Sequence, residues 1–550
     1  MKTLLDMPIR LLAIAVGLAY GSAANAFTFE TENISGSLDS TISYGIAVRA
    51  SSPNCGLVQT GATGVGAPAG CLAATSGLGD QGNLNYDKGS LFANQLKGSH
   101  ELLFKLPSDI TFMARANWVR DFSATNTSGF TSSTTPAGLS GNLSDEARDD
   151  LNFKGRILDF WVSKRFDVGD QQARVRIGNQ VISWGESLFL PGGINSTNAV
   201  DIMRLSQPGT QLKEVMLPAP MISVASGLGK GFNAEVYVQS AWNRSYFAPT
   251  GSYWSTVNGL GKGHDSYGLA DVNARNSGQW GAALRYQPEG TQLNLGLYAM
   301  NYHDKTPQFS TNIKNTGVAG WTYPEDRRLY GVSANFPVGD WAIGTELSYR
   351  PKDAVALNAN ASGCASQNGN CWVDKERLQW HLTGLLSMTP GGTGSTALKA
   401  LGAATATLLA EAVVIQYPNL QPTYGGDPIA AGGWGWGQET NAAGIPVPIG
   451  TKTSSGVNFD FSWVYDGTLI PGWQVVPEIY YFQALSGRTP NSSALFMKGA
   501  KSANFTLSFI QNPAKWQFAL NYATFWGGSS SFDQPYRDRD FFGAVLSRNF

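Results

Sequence analysis

The 550-residue sequence predicts an all-β protein, a single transmembrane antiparallel β-barrel of about 18 strands (16–18) with short periplasmic turns and long extracellular loops. Apolar and polar residues alternate with period two in segment after segment, as they do in strands with one lipid face and one polar face. The connections between these segments alternate strictly between short and long. The chain then closes on one more alternating strand, with Phe542, Leu546 and Phe550 on a single face.

Residues 1–26 are set apart from the fold. Lys2 and Arg10 flank a polar start, Leu11 to Gly21 form an apolar run, and Ala24-Asn25-Ala26 supplies a small-x-small cleavage pattern. Asp6 is an unusual member of such a region. The run is shorter than the ~20 residues a spanning helix needs. It reads as a cleavable signal peptide, leaving residues 27–550 as one domain.

In the first strand Ile34, Leu38, Ile42, Tyr44, Ile46 and Val48 share one parity, and Ser35, Asp39, Thr41, Ser43 and Arg49 the other. The same alternation predicts strands at 34–48, 96–106, 110–120, 156–166, 172–182 and 213–226. It continues at 232–242, 278–286, 292–302, 328–336, 341–350 and 376–387. The last six are 404–416, 455–465, 473–483, 501–510, 515–524 and 541–550. Short turns such as Pro107–Asp109, Pro337–Asp340 and Met388–Ser395 alternate with long connections such as 49–95, 183–212 and 417–454. Both termini fall on the short-turn side.

A soluble sandwich or propeller would spread aromatics evenly along its strands. Here Trp341, Trp473 and Trp516 open strands after short turns, Trp463 and Tyr465 close one, and Trp118 and Trp242 sit at long-loop ends. Two aromatic levels point to two membrane interfaces.

Only 14% of residues are charged, against ~25% in ordinary soluble domains. No segment after the first 26 residues approaches 18 continuous apolar residues, which excludes a helical membrane protein. A net charge of −1 gives no reason to expect nucleic acid. The four cysteines form two local pairs, Cys55/Cys71 and Cys364/Cys371, each in a Gly/Asn/Ser-rich stretch. In an exported protein such pairs are expected to be disulfides on the outer side. No metal or cofactor is expected.

The polar face carries Arg115, Asp159, Arg165, Arg174, Arg176, Glu235 and Arg285, then Glu346, Arg350, Arg377, Glu411, Asp460 and Glu478. An Arg or Lys facing lipid at mid-depth costs ~2–4 kcal/mol, so these side chains are expected to point inward. The four histidines and the absence of a Gly-x-Ser-x-Gly elbow give no pointer to an enzyme. Ser144 to Asp150 cluster acidic residues without the spacing of a calcium loop and read as a solvated loop.

The last strand resembles the terminal signal by which outer-membrane barrels are handed to the barrel-assembly machinery, with Phe550 as its aromatic end and Arg548 as a departure. A wider resemblance covers most of the chain. Arg176-Ile-Gly-Asn-Gln-Val-Ile-Ser-Trp-Gly-Glu-Ser187, Gly192-Gly-Ile-Asn-Ser196, Val200-Asp201 and Pro208-Gly209 carry its first part. Tyr323-Pro-Glu-Asp326, Glu346-Leu-Ser-Tyr-Arg-Pro351, Phe525-Trp-Gly-Gly528 and Asp538-Arg-Asp-Phe541 carry the rest. These segments resemble the domain of unknown function 1302 family of Gram-negative outer-membrane β-barrel proteins.

The resemblance implies an outer-membrane location among outer-membrane lipid. It also implies association with a periplasmic lipoprotein-like protein and a resistance-nodulation-division type pump. Such neighbours suggest handling of hydrophobic or lipid-like molecules, and the expected function is a passive conduit for small molecules of that kind, gated or constricted by loops 183–212 and 417–454. The alternatives are a general or polar-solute porin, favoured if charge segregates across the pore, and a plugged barrel acting as a surface scaffold or adhesin. The residues expected to line or gate the lumen are Arg176, Gln180, Trp184, Glu186, Asp201, Glu346, Arg350, Asp460 and Glu478. Arg176, Glu346 and Arg350 are expected to anchor an inward-folded 183–212 loop through Glu186 or Asp201. The run Gly432 to Gly437, with Trp434 and Trp436, is expected to offer an apolar contact surface.

Overall fold

The computed structural model describes residues 27–54, 57, 81–128, 136, 138–139, 142–205, 212–432, 439–530 and 533–550. Residues 1–26, expected to be a signal peptide, and Cys55, Cys71, Pro208, Gly209, Trp434 and Trp436 lie outside the described residues.

Eighteen strands form the wall. They are β1 (Ser35–Arg49), β2 (Leu91–Leu106), β3 (Ile110–Asp121), β4 (Phe153–Val168), β5 (Gln171–Gln180) and β6 (Ala219–Gly229). Next come β7 (Phe232–Gln239), β8 (Gln279–Tyr286), β9 (Asn294–Tyr302), β10 (Arg327–Val338), β11 (Trp341–Ala356) and β12 (Trp372–Met388). The wall ends with β13 (Thr405–Gln416), β14 (Thr453–Asp466), β15 (Trp473–Ser486), β16 (Ala500–Gln511), β17 (Trp516–Gly527) and β18 (Phe541–Asn549). Each strand pairs antiparallel with the next, and β18 closes the circle on β1, from Thr41↔Asn549 to Arg49↔Phe541. Closure removes the free sheet edges that hydrocarbon does not tolerate. Ile157, Ile177, Val238, Leu297 and Phe542 are among the exposed outward side chains that make the apolar belt.

The structure departs from the sequence reading in four places. The strand expected at 213–226 starts at Ala219, because Leu212–Val215 is helical and Met216–Leu217 pairs with Ala199–Val200. On the outer side β2, β11 and β12 run beyond their expected ends, where their extra residues pack against loops. The acidic stretch is no loop but helix α1 (Asp145–Asn152), whose Ser144 side chain caps it by accepting from Ala147 N at 3.2 Å. The turn expected at Met388–Ser395 extends to residue 404 and contains helix α2 (Ser395–Leu401). Leu398 of α2 packs with Leu386, Met388 and Ala406 beside Trp341 and Trp463, and Tyr465 Oη donates to Leu401 O at 2.9 Å. Trp341 and Leu386 have outward parity, so α2 lies against the outer rim at the periplasmic level. Neither helix has a strong sequence period of its own.

The N-terminal residues Phe27–Glu30 pair with Leu38–Ser35 of β1, on the same side that β18 occupies farther up. Between them Phe550 N donates to Ser40 O at 2.8 Å, and Ser40 N donates to Phe550 O at 3.3 Å. The guanidinium of Arg548 lies 4.7 Å from the Phe550 ring and 5.1 Å from the Trp516 ring. That stacking accommodates an Arg at an outward, interfacial position.

Loops pack against the outer ends of the strands. One core gathers Leu190, Val355, Tyr417, Ile429 and Phe496 around the Cys364–Cys371 disulfide. Another sets Tyr253 and Trp254 against Phe92 and Phe541. The disulfide closes a short loop, so it is worth about 2.5 kcal/mol on chain entropy. The double variant Cys364→Ser/Cys371→Ser is expected to assemble normally while limited proteolysis cuts faster within 356–371. Equal cutting rates would show that the loop core alone holds the segment.

Candidate functional site: a loop clasped inside the barrel

After Gln180 the chain turns into the lumen instead of outward, and residues 182–198 lie against the inner wall. A loop in that position exposes backbone donors and acceptors that need partners. The wall supplies them with opposite chemistries. Glu346 of β11 accepts from Glu186 N at 2.5 Å and Ile194 N at 2.9 Å. Glu411 of β13 accepts from Phe189 N at 2.7 Å, Leu190 N at 2.9 Å and, more weakly, Leu188 N at 3.4 Å. Arg350 of β11 donates to Gly192 O at 2.5 Å, Gly193 O at 3.0 Å and Ser196 Oγ at 2.5 Å, and its Nε donates to Tyr302 Oη at 2.9 Å. Carboxylates take the N–H groups and the guanidinium takes the carbonyls. Charge-assisted bonds of this kind are roughly twice as strong as neutral ones.

The clasp is a cross-strand unit. His381 of β12 stands opposite Glu346 in register, and its Nδ1 lies 2.8 Å from Glu411 Oε1. Gln379 Nε2 lies 2.7 Å from His381 Nε2 and donates to Pro191 O at 3.1 Å. Glu346, His381 and Glu411 have fully buried side chains, so each depends on the others and on the loop for polar partners. Two glycines let the backbone come this close. Gly185 has φ +89°, and a Cβ on Gly185 or Gly193 would collide with the Glu346 carboxylate.

The residues singled out from the sequence divide clearly. Glu346 and Arg350 hold the loop, but through its main chain and not through Glu186 or Asp201. Glu186 is held by Asn335 Nδ2 at 3.0 Å and Ser333 Oγ at 3.3 Å. Asp201 pairs with Arg156 and accepts from Arg204 N at 2.9 Å. Arg176 does not anchor the loop: its guanidinium lies over the Trp161 ring at 4.3 Å. Gln180 is a buried wall residue, donating to Met221 O at 3.1 Å and accepting from Ser223 Oγ at 3.0 Å. Trp184 donates to Glu235 Oε2 at 2.7 Å and packs between Tyr237 and Tyr298. Asp460 and Glu478 are half-buried on the inner faces of β14 and β15.

Gln379 and the joining role of His381 went unseen in the sequence. Their shared parity with Arg377 was the available signal, because it stacks polar groups on β12 opposite Glu346 and Arg350. All the anchors lie on β7–β13, and Phe189 reaches across to Tyr480 of β15 at 5.8 Å between ring centres. β14–β18 and β1–β6 make up the rest of the inner wall. There Arg174, Arg176, Asp460, Glu478, Thr506 and Asn521 keep partial solvent exposure.

The fold and the clasped loop define an outer-membrane-type β-barrel with one loop held against its inner wall. The chain belongs to the family described as "Protein of unknown function (DUF1302)", which matches residues 7–550. Among solved structures it is similar to Pseudomonas aeruginosa OpdK, determined with vanillate, at 11% identity and a TM-score of 0.41, covering 94% of this chain and 98% of that one. It is also similar to Acinetobacter baumannii OccAB1 (10%, TM-score 0.42, 96% and 98% covered). A third such structure is Pseudomonas aeruginosa OccK2 (OpdF) in complex with glucuronate (10%, TM-score 0.40, 94% and 98% covered). No curated protein matches the sequence.

Proposed function

We propose that this protein is a passive outer-membrane channel for small polar solutes, with its aperture set by the 182–198 loop. The observation that carries this reading is the clasp of Glu346, Arg350 and Glu411 on the loop backbone. It fixes a constriction against one half of the wall and leaves a polar, solvent-reached half beside it. A hydrophobic cargo follows from the family resemblance alone, and the charged and amide-bearing lining of the open half favours the polar alternative. Residues 1–26 would direct export, and the apolar belt would seat the barrel in outer-membrane lipid. A periplasmic lipoprotein-like protein and a resistance-nodulation-division type pump are further proposed partners, to be sought by cross-linking in cells.

The test is single-channel recording of the purified protein in planar bilayers. Discrete conductance steps, blocked or modulated by small polar solutes and not by apolar ones of equal size, support the reading. A barrel that assembles but never conducts would favour the plugged scaffold or adhesin.

A further inference from the structure

From the distribution of inward charges we infer that the constriction sorts solutes by dipole and favours small zwitterions, molecules with a carboxylate at one end and an ammonium at the other. This deepens the channel reading and rests on it.

One pole is basic. Arg174 of β5 stands directly opposite Arg165 of β4, and Arg176 follows on the same inner face. None of the three has an ion pair among the described residues, and Arg176 Nε is buried without a hydrogen-bond partner. Asp167, one step nearer the turn, forms no ion pair with them among the described residues. Like charges directly opposite each other on paired strands are destabilising. The fold therefore keeps this arrangement against its own stability, whereas neighbouring Arg115 and Arg285 are neutralised by Asp159 and Glu235.

The other pole is acidic. Asp460 of β14 stands opposite Tyr480, and Glu478 of β15 opposite Ser462, so the two carboxylates are diagonal neighbours on one inner surface. Neither has a basic partner among the described residues, and both are half-buried.

The poles oppose each other across the barrel. In a closed circle of eighteen strands, β5 and β14 lie half a circumference apart. Arg174 and Arg176 lie a few residues above the turn that precedes β5, as Glu478 does above the turn before β15, so both poles sit near the depth of Glu346. Among the described residues, the arc between them on the open side holds no second basic pair opposite in register. The inner faces of β16–β18 carry amides, hydroxyls and small residues such as Asn504, Thr506, Ser508 and Asn521. On β1–β3 the inner face is mixed, with Glu101 standing between Asp39 and Arg115 in register. Separated poles in a narrow, partly desolvated passage produce a transverse field that low dielectric strengthens. An uncharged solute couples to this field only through its small dipole, and an ion of either sign is attracted at one side and repelled at the other. A zwitterion lying across the passage is stabilised at both ends.

The experiment is liposome swelling with the purified full-length protein and four probes of similar size: β-alanine, lactamide, lactate and ethanolamine. We expect β-alanine to enter several-fold faster than lactamide, with the two ions between or below. In Arg174→Gln/Arg176→Gln, and separately in Asp460→Asn/Glu478→Gln, the β-alanine advantage should vanish while lactamide entry stays within twofold of the parent. Charge-preserving Arg174→Lys/Arg176→Lys should keep most of it, and heat-modifiable mobility on gels reports that each variant is folded. If lactamide enters the parent as fast as β-alanine, the inference is wrong and the channel reading stands. If nothing enters, the channel reading itself falls.

Discussion

Glu411→Leu is expected to raise single-channel conductance severalfold, with larger solutes admitted and with barrel assembly retained. Glu411 holds three consecutive backbone N–H groups and the His381 ring in a fully buried setting. Leucine satisfies none of them. Breaking one side of a buried charged contact costs about 3–5 kcal/mol, and here the loop can recover that cost by leaving the wall and hydrating in the lumen. The wall strands keep their ladders, so the loss falls on the constriction. Glu346→Leu should act in the same direction by freeing Glu186 N and Ile194 N, and Arg350→Met by freeing two carbonyls. Combining Glu411→Leu with Glu346→Leu should give less than the sum, because both act on one clasp through His381. Parental conductance in all three single variants would mean that the loop is held by contacts other than these.

Deletion of Phe550 is expected to reduce the amount of barrel in the outer membrane tenfold or more, yet to shift the thermal unfolding of whatever assembles only slightly. In the finished barrel Phe550 contributes two hydrogen bonds to Ser40 and one face of the Arg548 stack. At about 0.5–1.5 kcal/mol each, those bonds are minor beside a wall of eighteen strands. The larger effect belongs to assembly, when the last strand is presented for insertion as an isolated segment and its terminal aromatic is the recognisable feature. Quantitative blotting of outer-membrane fractions checks the first part, and heat-modifiable mobility with temperature checks the second. Normal membrane levels of the truncated protein would reduce Phe550 to an ordinary girdle residue.

The wall was legible in the sequence because its physics is local. A strand between lipid and a polar lumen must alternate, and every predicted strand corresponds to one of β1–β18. The inward direction of Arg176, Glu346, Arg350, Asp460 and Glu478 followed from the same rule. Parity gives the face a residue is on and nothing about what it meets there. Arg350 and Glu346 bind main-chain atoms of Gly192, Gly193, Glu186 and Ile194, which carry no signature in side-chain pattern. Side-chain pattern offers only acidic loop partners, Glu186 and Asp201, and both are committed elsewhere. Helices α1 and α2 escaped for a related reason. Each is too short to show a period, and α2 packs beside Trp341 and Trp463, residues distant in sequence.

The seam where β18 meets β1 works like the buckle of a belt. Phe27–Glu30 takes up the place along β1 just beyond Phe550, so the first paired residues and the last meet at the same notch on the periplasmic rim. A tag or fusion joined ahead of Phe27 or after Phe550 therefore emerges at the closure itself and competes with it for room. For labelling this barrel in living cells, the outward connections between β strands are the safer address, and both ends of the chain are best left bare.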